Sequence, residues 1–160
     1  MNNIKFDIRY SFHLETMHAT LCNRIDRMLT FSQLVLGSSV FANVEHAAII
    51  GALMAVLAAL SFVYQFGASA MKAGIQAKNY KAMLYSDDSE DELKARFVAC
   101  QDNDSDAFGV LRNAAHIRAS ISCEIADPYR LSGFEKFSAW LAGDLPVIPE
   151  TNNSDKQSAD

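Results

Sequence analysis

The chain has 160 residues, of which 50% are hydrophobic, and a formal net charge of −5 at pH 7. This length fits one domain, or a small membrane module with a cytosolic part. The acidic balance argues against a nucleic-acid partner, because affinity for phosphates needs a concentrated basic face. Cys22, Cys100 and Cys123 lack a metal-type spacing and are predicted to be reduced structural cysteines.

Residues 1–27 are predicted to form an N-terminal cytosolic or interfacial helix. Apolar residues alternate with polar ones from Ile4 to Leu14, as in a strand, but they also recur at helical intervals. Only the helical pattern continues beyond Leu14, which predicts a helix that starts at about Phe12. Its apolar face is expected to pack on later helices, with the bilayer surface as the alternative. The many charges up to Arg27 do not fit a signal peptide.

Residues 28–71 are predicted to form a transmembrane hairpin. Glu45 and His46 are the only charged or ionisable side chains in this stretch. As helices, Met28–Val44 and Ala47–Met71 would be roughly 25 Å and 37 Å long, against a hydrocarbon core of about 30 Å.

The turn of the hairpin is predicted at Asn43–Ala47. The first segment is the weaker span because it contains several polar side chains, whereas no polar side chain occurs between Ala47 and Leu60. A globular helix normally keeps a polar stripe, so membrane insertion is favoured over a soluble all-α bundle.

Basic residues flank the hairpin on one side only. Arg24 and Arg27 precede it, and Lys72, Lys78 and Lys81 follow it, while the turn has no Lys or Arg. The positive-inside rule therefore predicts a multi-pass protein with both termini in the cytoplasm. These five side chains are expected to contact anionic lipid headgroups.

Small residues recur at intervals of four in the second segment, at Gly51, Ala55 and Ala59. This spacing is typical of membrane helices that pack closely. The partner is either the first helix of the same chain or a helix of another copy.

A polar stripe follows one side of the first segment, through Ser32, Ser39 and Asn43. Such a stripe lines a water-filled path in an oligomer, or else supplies hydrogen bonds between helices. From the residues alone, helix bonding is favoured over pore lining.

Residues 72–145 are predicted to form a small cytosolic helical region, and residues 146–160 a disordered tail. Lys72–Tyr85 continues the second segment as a helix. Ser89 with Glu92, and Ser132 with Glu135, match the capping-box pattern at helix starts.

Two further helices are predicted in this region. An apolar 4-3-4-4 pattern from Val110 to Ile125 indicates a helix that ends near Asp127–Pro128. A shorter aromatic helix follows and closes at Gly143, with Ser138 interrupting its apolar face. Trp140 is either its anchor in a cytosolic core or an aromatic at the membrane interface.

Chemistry-bearing motifs are not found in the sequence, so we expect no catalytic residues, no cofactor and no metal. His13 and His18 are five apart, which does not place them on one helix face for a metal. His116, Arg118 and Glu124 are interpreted as a solvated helix surface rather than an active site.

The order of parts resembles the SLATT family of two-span membrane proteins. The likeness covers about residues 12–143 and includes the segment NAAHIRASISCEIADPYRLSGFEKFSAWLAG at Asn113–Gly143. It implies a homo-oligomeric, pore-forming effector of antiviral conflict systems. Such an effector lies in the cell inner membrane and permeabilises it when a separate sensor protein signals. It carries over no individual functional residue, but it implies that pore lining by Ser32, Ser39 and Asn43 is about as well supported as helix bonding.

Two other functions fit the same hairpin. One is a holin-like lysis protein of a phage, which usually has a shorter and more basic tail. The other is a non-conducting scaffold that binds a cytosolic partner through the helix at Phe134–Leu141.

Overall fold

The structure is a computed structural model that describes residues 4–42, 46–125 and 129–146. These residues contain α-helices and one 3₁₀ turn and no strand, which confirms the all-α class. In chain order the elements are α1 (Ile4–Ala42), α2 (Ala47–Tyr64), α3 (Phe66–Leu84), α4 (Glu90–Gln101), the 3₁₀ turn (Gly109–Leu111), α5 (Arg112–Ser122) and α6 (Gly133–Leu141).

Helix α1 is the longest element, with 39 residues and therefore a length of roughly 58 Å. It runs without interruption from the N-terminal segment into the first apolar segment. The predicted start at Phe12 is wrong, because the helix begins at Ile4. Ile4 and Ile8 are buried and share one helix face, so packing overrides the strand-like alternation.

The sequence predicted one helix from Ala47 to Met71. The structure has two helices in this segment instead. Gln65 adopts left-handed backbone angles, with φ 45° and ψ 47°, and separates α2 from α3. The rings of Tyr64 and Phe66 stack on either side of this break, with centroids 5.4 Å apart. The predicted continuation from Lys72 is confirmed, since α3 extends to Leu84.

Two hydrophobic clusters lie along the N-terminal half of α1. One joins α1 to α5, α6 and the 3₁₀ turn, with Met17, Leu111 and Ile117 fully buried. The other joins α1 to α3 and α4, around Tyr80 and Phe97. We call this assembly of the N-terminal half of α1 with α3–α6 the bundle.

The predicted helix caps of the bundle are confirmed. Both capping boxes are present: the side chain of Ser89 accepts from the backbone N–H of Glu92, and that of Ser132 accepts from Glu135. Gly143 has a φ of +79° and follows the end of α6, as predicted.

The predicted helix at Val110–Ile125 is shorter than expected. It starts with the 3₁₀ turn, and α5 proper ends at Ser122. Glu124 has a positive φ of 55°, which stops the helix before the predicted Asp127–Pro128 boundary. Three predicted features lie outside the described part of the chain: the turn at residues 43–45, the boundary at residues 126–128 and the tail from residue 147. The predictions for them stay predictions.

Candidate membrane-spanning helix pair

Helix α2 presents apolar side chains to the outside of the protein. None of its 18 residues is buried, although its side chains are almost all apolar. The large hydrophobic side chains exposed on it are Ile49, Leu53, Val56, Leu60, Phe62, Val63 and Tyr64. A core helix of a soluble protein would bury them, so α2 is not the core of this bundle.

One stretch of the described chain, Ala47–Leu84, is long and apolar enough to cross a membrane. Its most apolar 18-residue window has a mean hydropathy of 2.3, and none of that window is buried. The same criteria select no second helix among the described residues.

Helix α1 lies antiparallel to α2 and α3. Gln33 Nε2 donates to Ser61 Oγ across the pair at 3.4 Å. A Cβ at Gly37 would lie 3.5 Å from Met54 Cε, and one at Gly67 would lie 3.5 Å from the Asp26 carboxylate. The C-terminal half of α1 and the whole of α2 thus form a hairpin of two helices in contact.

Packing against α1 uses one side of α2. The half-buried residues of α2 on this side recur at helical intervals: Ile50, Met54, Leu57 and Ser61. The predicted packing residues Gly51, Ala55 and Ala59 are exposed. A Cβ at Gly51 would have no atom within 4 Å in the described chain. Within one copy of the protein, this small-residue face therefore lies away from α1.

The predicted pore-lining residues are only partly described. Ser32 is half-buried on α1, beside Gln33, which bonds to α2. The side chain of Ser39 and all of Asn43 lie outside the described part, so their role stays a prediction. Thr30 donates to the backbone carbonyl of Asp26 at 2.9 Å within the same helix.

The predicted headgroup contacts fall into two groups. Arg24 Nη1 donates to the carbonyl of Leu141 at 2.8 Å, and Lys72 Nζ donates to the carbonyl of Asp104 at 2.9 Å. These two cations are therefore engaged within the bundle. The second group consists of Arg27, Lys78 and Lys81, which are exposed, as Arg24 and Lys72 also are. The two lysines lie about 9 Å and 14 Å beyond Lys72 along α3, away from α2.

A partly buried polar network joins the loop after α4 to α1 and α3. We call it the polar bridge, and it consists of Glu15, Lys72, Gln76, Tyr80, Asp104 and Ser105. Ser105 donates to the Glu15 carboxylate from its backbone N–H at 3.0 Å and its hydroxyl at 2.5 Å. Asp104 Oδ1 accepts from Gln76 Nε2 at 2.9 Å and from the Tyr80 hydroxyl at 2.6 Å.

Burial sets the protonation behaviour of the polar bridge. Glu15 is only 2% exposed, and this burial raises the pKa of its carboxyl group. The hydrogen bonds from Ser105 act in the opposite direction. Burial and the bond to Asp104 raise the pKa of Tyr80. Tyr80 therefore remains a hydrogen-bond donor throughout the physiological pH range.

The sequence analysis missed the polar bridge. One signal was present on α1, where Ser11, Glu15, His18 and Cys22 recur at helical intervals, and all four are buried. Asp104 and Ser105 belong to an acidic loop, and nothing in their spacing distinguishes them from solvated residues.

His13 and His18 contact different partners. His13 Nδ1 lies 3.8 Å from Asp144, and His18 packs on the ring of Phe108 with centroids 5.0 Å apart. Arg118 bonds to Asp144. In the described part of the chain no three His, Cys, Asp or Glu side chains gather as metal ligands.

Comparisons with known proteins yield no relative. The chain matches no family model, no curated protein and no solved structure.

Proposed function

We propose that this chain is a membrane protein whose hairpin of α1 and α2 spans the bilayer and, in an oligomer, permeabilises it. The observation that carries the proposal is the exposure of α2. The bundle does not cover its apolar side chains, and insertion into a bilayer would remove this apolar surface from water.

The length of the apolar zone fits a bilayer. From Ala47 to Gly67 the chain rises roughly 30 Å, which equals the thickness of a typical hydrocarbon core of about 30 Å. Asp26 lies beside Gly67, and Arg27 follows it on α1, whereas the first charge on the second helix, Lys72, lies about 8 Å beyond Gly67. The aromatic rings of Tyr64 and Phe66 stack near this level, where membrane proteins concentrate aromatic residues.

The second span follows from the contact between the helices. Because Gln33 bonds to Ser61 and Gly37 lies beside Met54, a bilayer that takes in α2 also takes in the C-terminal half of α1. The chain then crosses twice, and the bundle lies on the side of the basic residues, in the cytoplasm.

Association of several copies is supported by the small-residue face of α2. Gly51, Ala55 and Ala59 are exposed and lie away from α1, so they are accessible to a helix of another copy. The resemblance to SLATT proteins supports a triggered pore built from such an oligomer. The polar bridge holds the acidic loop against α1 and α3, and binding of a partner to the bundle would bias these helices between closed and open arrangements.

Depolarisation in cells tests the proposal. The wild-type protein is expressed from an inducible promoter in bacteria loaded with a potential-sensitive dye, and membrane-bound protein is quantified in parallel. Ala55→Phe places a ring on the small-residue face, whereas Val56→Phe places it on the neighbouring bulky face. We expect Ala55→Phe to reduce both cross-linked oligomers and depolarisation, and Val56→Phe to leave both unchanged. Equal depolarisation by both variants would contradict the assigned oligomer contact.

A non-conducting scaffold is the second candidate. It is favoured by hydrogen bonds that satisfy polar groups of the hairpin inside one chain, such as Gln33 to Ser61 and the Ser38 hydroxyl to the carbonyl of Val35 at 2.8 Å. These groups need no water-filled path. An inserted, oligomeric wild-type protein that leaves the membrane potential unchanged, with and without a co-expressed partner, would favour the scaffold.

A further inference from the structure

Helix α6 contacts α1 closer to the apolar zone than α5 does. Helix α5 contacts the N-terminal end of α1, where His116 packs on Phe6 with ring centroids 5.3 Å apart. The end of α6 is instead bound by Arg24, which donates to the carbonyl of Leu141 at 2.8 Å. A Cβ at Gly143 would lie 3.1 Å from the Arg24 guanidinium and 3.5 Å from Thr20.

The outer face of α6 is aromatic and uncovered. Phe134 is 71% exposed, Phe137 is 55% exposed and Trp140 is 61% exposed, and their spacing of three places them within one arc of the helix. The sequence predicted two alternative roles for Trp140, a core anchor or an interfacial aromatic. Its exposure rules out the core anchor. The buried residues of α6 are Ser138 and Ala139.

The position of this face relative to the hairpin indicates what covers it. Arg24 precedes Met28, the first residue of the apolar zone of α1, by four residues, or about 6 Å of helix. The headgroup region of a bilayer is about 5–8 Å thick on each side of the hydrocarbon core. Thr20, the other contact of this end of α6, lies about 12 Å before Met28, so the C-terminal end of α6 lies at the outer border of the headgroup region when the hairpin is inserted.

The chemistry of the face fits that region. Tryptophan and other aromatic rings concentrate at the level of the headgroups, where one side of the ring is apolar and the other is wet. The exposed cation Arg27 follows Arg24 on α1 by three residues and would attract anionic lipids at this level.

We propose that α6 is an interfacial helix, whose Phe134, Phe137 and Trp140 side chains insert into the cytoplasmic leaflet of the membrane that the hairpin spans. This inference rests on the proposed insertion of α2. It gives the bundle a second, peripheral attachment to the bilayer, beside the spans themselves.

Fluorescence of Trp140 tests the inference directly, because it is the only tryptophan of the chain. The full-length protein is reconstituted in vesicles of phosphatidylethanolamine and phosphatidylglycerol, with or without lipids brominated at defined depths. We expect blue-shifted emission, quenching by lipids brominated near the headgroup, and protection from aqueous iodide. Emission that iodide quenches and brominated lipid does not would overturn the proposal. Protection from both quenchers would also overturn it, since a second copy or another protein would then cover the face.

Two relocated tryptophans separate this inference from the proposed function. Both are made in a Trp140→Phe background, as Phe62→Trp on α2 and as Tyr85→Trp at the far end of α3; both original residues are 80% exposed. Quenching of the Phe62→Trp variant by brominated lipid supports insertion of α2, and its absence overturns the proposed function. If that variant is quenched while Trp140 is not, only the interfacial role of α6 fails. The Tyr85→Trp variant is the water-exposed reference and should be quenched by iodide.

Discussion

A charge at the centre of α2 should expel the helix from the membrane. Val56 lies in the middle of Ala47–Tyr64 and is 56% exposed. The eight Ile, Leu, Val and Phe side chains of α2 favour insertion by about 0.3–0.6 kcal/mol each, or about 2.5–5 kcal/mol together. An arginine at the centre costs about 2.5–3.5 kcal/mol, and the valine contribution is lost as well. Val56→Arg therefore cancels most of the driving force and lowers the insertion equilibrium about 100-fold or more.

The assay is the carbonate-resistant fraction of the protein in isolated membranes, at matched expression. Met71→Arg is the control, because Met71 is similarly exposed but lies on α3 beyond the apolar zone. We expect Val56→Arg to move protein into the soluble or degraded fraction and Met71→Arg to behave as wild type. An unchanged carbonate-resistant fraction for Val56→Arg would refute the insertion of α2.

Three further predictions concern the bundle. Tyr80→Phe removes one bond to the Asp104 carboxylate and should lower the free energy of unfolding in detergent by about 1.5 kcal/mol, measured by denaturant titration, because Gln76 still donates to that oxygen. Burial lowers the pKa of His18, so stability is present above its unfolded pKa of about 6.5 and is lost as pH falls below it; His18→Gln should weaken this acid sensitivity in thermal melts at pH 7 and pH 5. Arg24→Met removes the bond to Leu141 and the favourable charge at the end of α6, and should increase hydrogen exchange of α6 by several-fold.

Matched variants control these three measurements. Tyr85→Phe changes an exposed tyrosine and should leave the unfolding free energy unchanged. His46→Gln changes an exposed histidine and should keep the acid sensitivity of the wild type. Arg27→Met removes an exposed cation near Arg24 and should not affect exchange in α6. If a control variant matches the effect of its partner, the assigned contact is not the cause.

The helices and their caps could be predicted from the sequence because their signals are local. The capping boxes at Ser89 and Ser132 depend on residues three apart, and the apolar character of α2 is a property of one continuous stretch. Both features appear in the structure where the sequence placed them.

The remaining features depend on contacts between distant parts of the chain. Ile4 and Ile8 are helical because α3 and α4 cover them, which their alternating pattern does not reveal. The break at Gln65 has no glycine or proline to mark it. The bond between Glu15 and Ser105 joins residues 90 positions apart, so a loop that the sequence suggests is solvated is half-buried where it meets α1.

The uninterrupted course of α1 has a mechanical consequence. One rod of 39 residues carries both hydrophobic clusters of the bundle at its start and the hairpin contact with α2 towards its end. Since each helical residue turns the chain by about 100°, a single residue inserted after Arg27 would rotate the hairpin by that angle relative to the bundle. A rotation or tilt at one end of α1 is therefore expected to be passed to the other end, because the helix has no break between Ile4 and Ala42.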